Sequence, residues 1–193
     1  MLKCFATSAG GLSELLREEL MSLGAEEVKA QPRGVTFEAD LETAYRACLW
    51  SRLANRIFLT VLEVELENQE ELTTEVAKID WSQHMDSYGT FSVSFSGKGM
   101  GIEHTNFGAL KIKDGIVDHF MDKNDERPSV NTDSPNLRVH GHLIRNQLTL
   151  SIDLIGYSLH QRGYREGQQV KAPLKENVAA ALLMRAGWPA IAK

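Results

Sequence analysis

The sequence predicts an α+β protein made of two mixed subdomains. Two observations support this prediction. Stretches of alternating apolar and polar residues interchange with stretches in which apolar residues recur every three or four positions. In addition, the elements of residues 1–66 follow the order strand–helix–strand–strand–helix–strand, which is that of a ferredoxin-like fold.

The first half of this ferredoxin-like subdomain is predicted from local periodicity. A strand at 3–7 precedes a helix, with Ser8 as its N-terminal cap and Gly24 as its stop. The apolar stripe of that helix consists of leucines at three- and four-residue spacing: Leu12, Leu15, Leu16, Leu20 and Leu23. Two short strands, at 28–30 and 35–38, then flank a Pro-Arg-Gly turn.

The second half consists of a helix and a long strand. Asp40 is predicted to cap the helix. The predicted buried face of the helix comprises Leu41, Ala44, Tyr45, Cys48 and Leu49. The strand, 56–66, alternates apolar residues with glutamates.

A second subdomain is predicted over residues 67–155. It begins with a short helix carrying Leu72, Val76 and Ile79, followed by a strand that alternates phenylalanine or valine with serine up to Ser96. A helix at 107–121 is predicted to point its apolar side chains inward: Leu110, Ile112, Ile116, Val117 and Phe120. After a polar loop at 124–136, two strands at 137–144 and 148–154 form a hairpin.

The remaining residues, 156–193, are predicted to return toward the first subdomain and then lead out of it. Pro173 is suited to the first turn of a final helix that ends at Gly187. Its apolar stripe consists of Leu174, Val178, Ala181 and Leu182. A helix with such an apolar face, so near the end of the sequence, is expected to pack against another domain. The sequence is therefore interpreted as a fragment from which that partner domain is absent.

Composition argues against several classes of protein. Hydrophobic residues make up 42% of the 193 residues and charged residues 24%, an ordinary globular composition. No apolar run approaches the roughly 18 residues of a membrane helix, and the N-terminus lacks the pattern of a signal peptide. Cys4 and Cys48 are the only cysteines, and both are predicted to be buried, reduced thiols of a cytoplasmic protein.

Charge is distributed unevenly along the chain. The formal net charge is −5, but acidic residues dominate the first hundred positions, whereas the rest has a small positive balance and most of the six histidines. Because electrostatic attraction to phosphate acts over about one Debye length, a basic face can bind nucleic acid on an acidic protein. An uneven but solvated surface is the alternative interpretation.

Gly97–Gly101, a G-x-G-x-G run directly after a strand, resembles a nucleotide-binding loop. Such a loop brings backbone close to a nucleotide or to S-adenosylmethionine, and an acidic residue on the next parallel strand then holds the ribose. The next strand, 137–144, contains no acidic residue. A flexible surface loop is therefore the preferred interpretation, and a small-molecule-binding enzyme remains the alternative function.

A polar row is predicted on the strand 137–144. Arg138, His140 and His142 lie at alternate positions and therefore share one face of the sheet, opposite Leu137, Val139 and Leu143. Two histidines at this spacing are too few for a zinc site, which needs at least a third protein ligand. The row is either an ordinary exposed face or a face that contacts phosphates and bases.

Other basic residues suit an RNA surface. Lys111 and Lys113 lie on the long predicted helix, and Asn106 lies at its start, where backbone N–H groups can meet a phosphate. The segment 160–165, HQRGYR, combines Arg162 and Arg165 with a tyrosine, a mixture suited to RNA backbones and unstacked bases. The sequence shows no nucleophile–base pair and no convincing carboxylate pair of the kind that catalysis would require.

Five segments give the chain its family resemblance: FATSAGGLSELL at 5–16, LWSRLANR at 49–56, ALKIKDGIVD at 109–118, LHQRGYR at 159–165 and APLKENVAA at 172–180. Together they resemble the THUMP-containing RNA guanine-N2 methyltransferases. The likeness is strongest to the members that modify large-subunit (23S) ribosomal RNA and are often fused to a second methyltransferase. It spans the whole chain in order.

The resemblance implies an N-terminal RNA-binding region: a ferredoxin-like subdomain, then a THUMP subdomain, then a helix that leads to a methyltransferase domain. The S-adenosylmethionine loop of the family, Asp-Pro-x-Cys-Gly-Ser-Gly, and its Asn-Pro-Pro-aromatic motif are both missing from these residues. The expected partners are ribosomal RNA and the missing methyltransferase domain in cis, and no cofactor is expected in this region. A module that docks protein partners is a third possible function.

The predicted RNA-binding residues are Asn106, Lys111, Lys113, Arg138, His140, Arg162 and Arg165, with Arg52 and Arg56 as further candidates. Six of them, Lys111, Lys113, Arg138, His140, Arg162 and Arg165, are expected to converge on one surface, and loss of Arg162 is expected to weaken RNA binding without disturbing the fold.

Overall fold

The computed structural model describes residues 1–163 and 172–191, which form two compact units. The first unit contains Met1–Leu59 and the described residues from Leu154 onward, and the second contains Thr60–Asp153. The predicted boundaries 1–66, 67–155 and 156–193 stay a prediction. No helix in the described residues is long and apolar enough to cross a membrane.

The first unit has the predicted ferredoxin-like order. Its elements are β1 (Leu2–Thr7), α1 (Ser13–Ser22), β2 (Glu26–Gln31), β3 (Gly34–Ala39), α2 (Leu41–Trp50) and the first part of β4 (Arg56–Glu65). The strands are arranged in the order β2-β3-β1-β4, and β1 pairs antiparallel with both β3 and β4. Buried side chains such as Leu16, Leu20 and Phe37 form the core.

Asp40 caps α2 as predicted, and its carboxylate accepts a 2.7 Å hydrogen bond from the Thr43 backbone N–H. The prediction that Ser8 caps α1 is wrong, because that helix begins five residues later, at Ser13. The Ser8 hydroxyl instead lies 3.3 Å from the hydroxyl of Ser13.

The predicted buried face of α2 is largely wrong. Thr43, Ala44 and Ala47 are buried, whereas three of the predicted core residues are more than half exposed: Leu41, Tyr45 and Leu49. Both sides of this helix carry apolar residues, so the periodicity alone does not decide which side faces the sheet. The sheet-facing side carries the small side chains.

The second unit contains α3 (Glu71–Ala77), a 3-10 turn at Trp81–Gln83, β5 (Thr90–Lys98), α4 (Thr105–Asn124), β6 (Ser129–Val130), β7 (Leu137–Ile144) and β8 (Gln147–Asp153). Its strands follow the order β8-β7-β5-β6. β5 is parallel to β7, with α4 as the connection between them, and β7 and β8 form the predicted antiparallel hairpin.

Three details of this unit differ from the prediction. β5 continues through Gly97 to Lys98, so the glycine run begins inside the strand. The short strand β6 interrupts the loop predicted at 124–136. Leu110, expected inside, is 54% exposed, while Ile112, Ile116 and Phe120 are buried.

The C-terminal elements are α5 (Glu176–Arg185) and α6 (Trp188–Ile191). Pro173 precedes α5 rather than occupying its first turn, since the helix begins at Glu176. Ala181 packs into the core of the first unit, but Leu182, which was predicted to share its stripe, is more than half exposed.

Candidate nucleic-acid interface

A continuous hydrogen-bonded row of serines and histidines lies on one face of β5 and β7. The parallel register pairs Ser94 with His140 and Ser96 with His142. His140 Nδ1 lies 2.8 Å from Ser94 Oγ, and its Nε2 lies 3.0 Å from Ser96 Oγ, which is also 2.7 Å from His142 Nδ1. The predicted polar face of this strand is confirmed, because Leu137, Val139 and Leu143 are buried on its other side.

Arg138 lies on the same face, and its guanidinium binds the preceding loop. Its Nη2 donates to the Asp133 carbonyl oxygen at 2.8 Å and its Nη1 to that of Thr132 at 3.4 Å. These bonds fix the position of the positive charge at the start of β7.

The candidates on α4 lie on the opposite side of this sheet from Arg138 and His140. A Cβ at Gly141 would come within 2.3 Å of Ile112 Cδ1, which shows that α4 covers the face of β7 that does not carry the histidines. The expected convergence of Lys111 and Lys113 with Arg138 and His140 is therefore wrong within this unit. Side chains alternate between the two faces of β7, so Arg138 and His140 lie on the face that α4 does not cover.

The start of α4 combines charge with an exposed aromatic ring. Lys111 Nζ lies 5.6 Å from the centroid of the Phe107 ring, and that side chain is 40% exposed. Asn106 is exposed in the first turn, whereas Lys113 is ion-paired with the adjacent Asp114 at 2.5 Å. Sequence reasoning missed Phe107, although an aromatic residue four positions before a lysine on a helix is a recognisable signal.

In the first unit, Arg52 is held by the buried carboxylate of Glu19. Its backbone N–H lies 3.1 Å and its Nε 3.3 Å from Glu19 Oε1. The side chain of Arg52 is nevertheless 62% exposed, so its charge remains accessible at the surface. Arg56, the other candidate of this unit, is half-buried at the start of β4.

Arg162 closes the C-terminal end of α2. Its Nη1 donates to the Leu49 carbonyl at 3.0 Å and its Nη2 to those of Ser51 at 2.8 Å and Cys48 at 3.3 Å. Its Nε also donates to the Leu159 carbonyl oxygen at 2.7 Å. These bonds give the side chain a structural role that the sequence did not predict, and RNA contact by Arg162 stays a prediction. Arg165 lies outside the described residues.

The residues of the glycine run do not fit S-adenosylmethionine. A Cβ at Gly97 would lie 1.9 Å from the Leu143 carbonyl oxygen, and one at Gly99 would lie 1.7 Å from that of Arg145. The backbone of the β7–β8 hairpin thus fills the space beside these glycines. The neighbouring parallel strand β7 also supplies no carboxylate for a ribose.

The cysteines and histidines form no recognisable metal centre in the part of the chain that the structure describes, since no three metal-binding side chains are grouped there. Neither cysteine forms a disulfide, as predicted. Cys4 is buried, but Cys48 is only half-buried, so the expected full burial is confirmed for Cys4 alone.

Comparison with known families assigns both halves of the chain. Residues 3–58 match the RlmL ferredoxin-like domain, and residues 67–153 match the THUMP domain. The fold class predicted from the sequence, a ferredoxin-like subdomain followed by a THUMP subdomain, is confirmed. The chain belongs to the proteins that join these two domains, and it corresponds to their N-terminal, THUMP-containing region.

Two curated relatives of this chain carry the same name. The chain is 67% identical over 193 residues to "Ribosomal RNA large subunit methyltransferase K/L" of Hydrogenovibrio crunogenus, and 54% identical over 188 residues to the protein of that name in Pseudomonas aeruginosa. These matches cover 100% and 97% of the chain but only 26% of each relative. The chain thus spans about a quarter of the length of these curated relatives.

A solved structure shows the same fold. The crystal structure of SMU.472 complexed with SAH superposes with a TM-score of 0.82 at 28% identity. The superposition covers 95% of this chain and 48% of that protein.

Proposed function

We propose that this chain is an RNA-binding region that holds 23S ribosomal RNA while a methyltransferase domain, in cis, methylates a guanine at N2. The observation that carries the proposal is the THUMP match over residues 67–153 in a chain 67% identical to part of a ribosomal RNA large subunit methyltransferase. The proposed site of action is the cytoplasm, where ribosomal RNA is present.

The proposal divides the chain into a ferredoxin-like platform at 1–66, an RNA-binding subdomain at 67–155 and a return segment at 156–193. Two surfaces of the second unit suit RNA. The outer face of β5 and β7 offers imidazole and hydroxyl groups, and the start of α4 offers Lys111 beside an exposed ring. Phosphates and unstacked bases bind such groups.

The activity of the whole protein depends on groups outside these residues. S-adenosylmethionine would supply the methyl group in a separate catalytic domain. The match to this chain covers only 26% of a longer relative, so the rest of that relative is long enough to contain such a domain. The small-molecule alternative at Gly97–Gly101 loses support, because the hairpin backbone occupies the space beside Gly97 and Gly99.

Equilibrium binding of unmodified 23S transcripts tests the proposal through Lys111→Ala. If Lys111 contacts a phosphate, its loss weakens binding and lowers the log-salt slope by roughly 0.7–0.9. Lys78→Ala is the matched control, because Lys78 is an exposed lysine of the same unit that is paired with Glu75. Equal slopes for the two variants would remove Lys111 from the RNA surface.

A further inference from the structure

The second unit contains a cleft between the segment 82–89, α4 and the residue that precedes β7. Its volume is about 570 Å³, which lies within the range of small-molecule sites. Met85 and Phe120, which are 8% and 1% exposed, form its apolar part. None of the described residues that line it is a lysine or an arginine. The cleft can therefore accept a flat, partly apolar group such as a nucleobase.

Tyr88 forms an exposed aromatic wall of this cleft. It lies in the turn 86–89, which is closed by a 2.8 Å hydrogen bond from the Gly89 backbone N–H to the Asp86 carbonyl. Tyr88 is 85% exposed, yet its hydroxyl donates a 2.7 Å hydrogen bond to Glu126 Oε1. Hydrogen bonds from Ser87 and Tyr88 hold the pKa of Glu126 below its usual range, so this acceptor is a carboxylate at neutral pH. The ring is thus held in place and open to solvent, and such rings stack on unpaired bases.

Asn136 contributes a side-chain amide whose orientation is fixed. Its Oδ1 accepts the Thr90 backbone N–H at 2.8 Å and the Thr90 hydroxyl at 3.0 Å. A backbone N–H can only donate, so the atom that binds it must be the amide oxygen. The amide NH₂ group has no acceptor among the residues that the structure describes. Asn136 therefore offers two unused donors at the cleft.

Asp86 and His84 add acceptors to the lining of the cleft. Asp86 is exposed, and its carboxylate can only accept hydrogen bonds. Burial lowers the pKa of His84, an effect that the nearby Asp80 only partly offsets, so the imidazole is neutral at pH 7. A neutral imidazole offers one donor and one acceptor. The cleft thus presents both donors and acceptors to a ligand, and Asp86 gives it a negative charge.

This set of groups distinguishes between classes of ligand. The cation of a lysine or arginine has no acceptor for the Asn136 amide. A phosphodiester has only acceptors, and its charge would be repelled by Asp86. A nucleobase has both kinds of group, and guanine separates them, with donors at N1 and N2 and acceptors at O6 and N7. Adenine carries an acceptor at N1 where guanine carries a donor, so a carboxylate favours guanine.

We propose that this cleft binds an unstacked guanine base, with its ring against Tyr88, its N1 and N2 donors on the Asp86 carboxylate and its O6 or N7 on the Asn136 amide. Neither the sugar nor the phosphate is needed for this recognition, so free guanosine binds as well. In RNA the base is an unpaired guanine of the bound molecule, and this part of the inference rests on the proposed function.

Nuclear magnetic resonance of the ¹⁵N-labelled chain tests the site with guanosine and adenosine as probes. We expect guanosine to shift the backbone signals of 84–89 with a dissociation constant of about 1 mM or lower, and to bind roughly fivefold more tightly than adenosine. Tyr88→Ala should weaken the binding of both nucleosides roughly fivefold or more, because the stacking surface is lost. Tyr88→Phe keeps that surface and should bind both nearly as well as the unchanged chain.

The preference for guanosine tests the role of Asp86. Asp86→Asn replaces one carboxylate oxygen with a donor and should reduce the preference to below about twofold. Asp122→Asn is the matched control, because Asp122 is an exposed aspartate of the same unit, and it should keep the preference. Three results would each overturn the inference: no shift at about 1 mM guanosine, an unchanged preference in Asp86→Asn, or shifts of the same signals by L-arginine but not by guanosine.

Binding of unmodified 23S transcripts separates this site from the proposed function. Guanosine binding without RNA binding would refute the proposed function and leave the nucleoside site standing, whereas RNA binding without guanosine shifts would do the reverse. Where both bind, Tyr88→Ala should weaken RNA binding, and Tyr157→Ala, which changes an exposed tyrosine of the first unit, should not. An RNA affinity unchanged by Tyr88→Ala would refute the use of the cleft by RNA.

Discussion

Glu19 of α1 accepts a 2.7 Å hydrogen bond from the hydroxyl of Ser51, which lies just beyond the end of α2. Only 4% of the Glu19 side chain is exposed. The same carboxylate accepts backbone N–H groups of Arg52 at 3.1 Å and Leu53 at 3.2 Å. A single buried acid therefore organises the turn that leads from α2 into β4.

Replacing Glu19 with alanine should destabilise the first unit. The change leaves the Ser51 hydroxyl and two backbone N–H groups without their acceptor, at a cost of about 3 kcal/mol. Urea unfolding measures the loss. Glu14→Ala is the control, since Glu14 is an exposed residue of the same helix, paired with Arg17, and should cost less than about 1 kcal/mol. Equal losses of stability in the two variants would show that the hydrogen bonds of Glu19 contribute little to the stability of this unit.

Arg162→Ala should lower the thermal stability of the chain. The guanidinium satisfies carbonyls at the C-terminal end of α2, where a positive charge also interacts favourably with the helix dipole. We expect a loss of about 1–2 kcal/mol by thermal or urea unfolding. Arg185→Ala, which removes one exposed bond to Gly11, is the comparison and should cost less. Full stability with weakened RNA binding would instead favour a direct RNA contact by Arg162.

Cys48 should react with iodoacetamide before Cys4. Burial raises the pKa of the Cys4 thiol to about 12, and the nearby Cys48 thiol adds to the rise. The reactive thiolate of Cys4 is therefore scarce at pH 8. Mass spectrometry of the native chain measures the order of labelling, and faster labelling of Cys4 would contradict the packing of β1.

The same shift has a consequence for stability at high pH. The neutral thiol of Cys4 is favoured in the folded chain, so its contribution is complete below pH 9.0 and declines as the pH rises toward about 12. Cys4→Ala should remove this part of the alkaline destabilisation.

Gly97→Ala should destabilise the second unit. Gly97 has a φ of +90°, and an added methyl group would strike the Leu143 carbonyl. We expect a loss of about 2 kcal/mol in chemical unfolding. Gly10→Ala is the matched control, because a Cβ there meets nothing within 4 Å. A harmless Gly97→Ala would revive the interpretation of this run as a flexible loop.

The sequence predicted those features of the fold that depend on a pattern among neighbouring residues. Alternation along β7 identified its polar face, and Asp40 marked the start of α2, because both signals lie within a few residues of their effect. The buried side of α2 was not predictable in this way. One side of this helix carries small residues and the other carries large apolar residues, and helical periodicity is compatible with burial of either side.

Long-range partners explain the remaining differences. Arg162 binds carbonyls more than a hundred residues earlier in the chain, and no local pattern connects them. The separation of Lys111 from His140 depends on which face of β7 receives α4, and this is decided by the contact between Ile112 and Gly141.

The most direct test of the account is the affinity of the 193-residue chain for unmodified 23S ribosomal RNA at about 50 mM and about 200 mM salt, with 16S ribosomal RNA as competitor. We predict binding that weakens steeply with salt, by roughly 0.7 in log-salt slope for each phosphate contact, and that 16S RNA displaces poorly. Undetectable binding at the lower salt, or equal displacement by 16S RNA, would contradict the claim that this region holds 23S RNA.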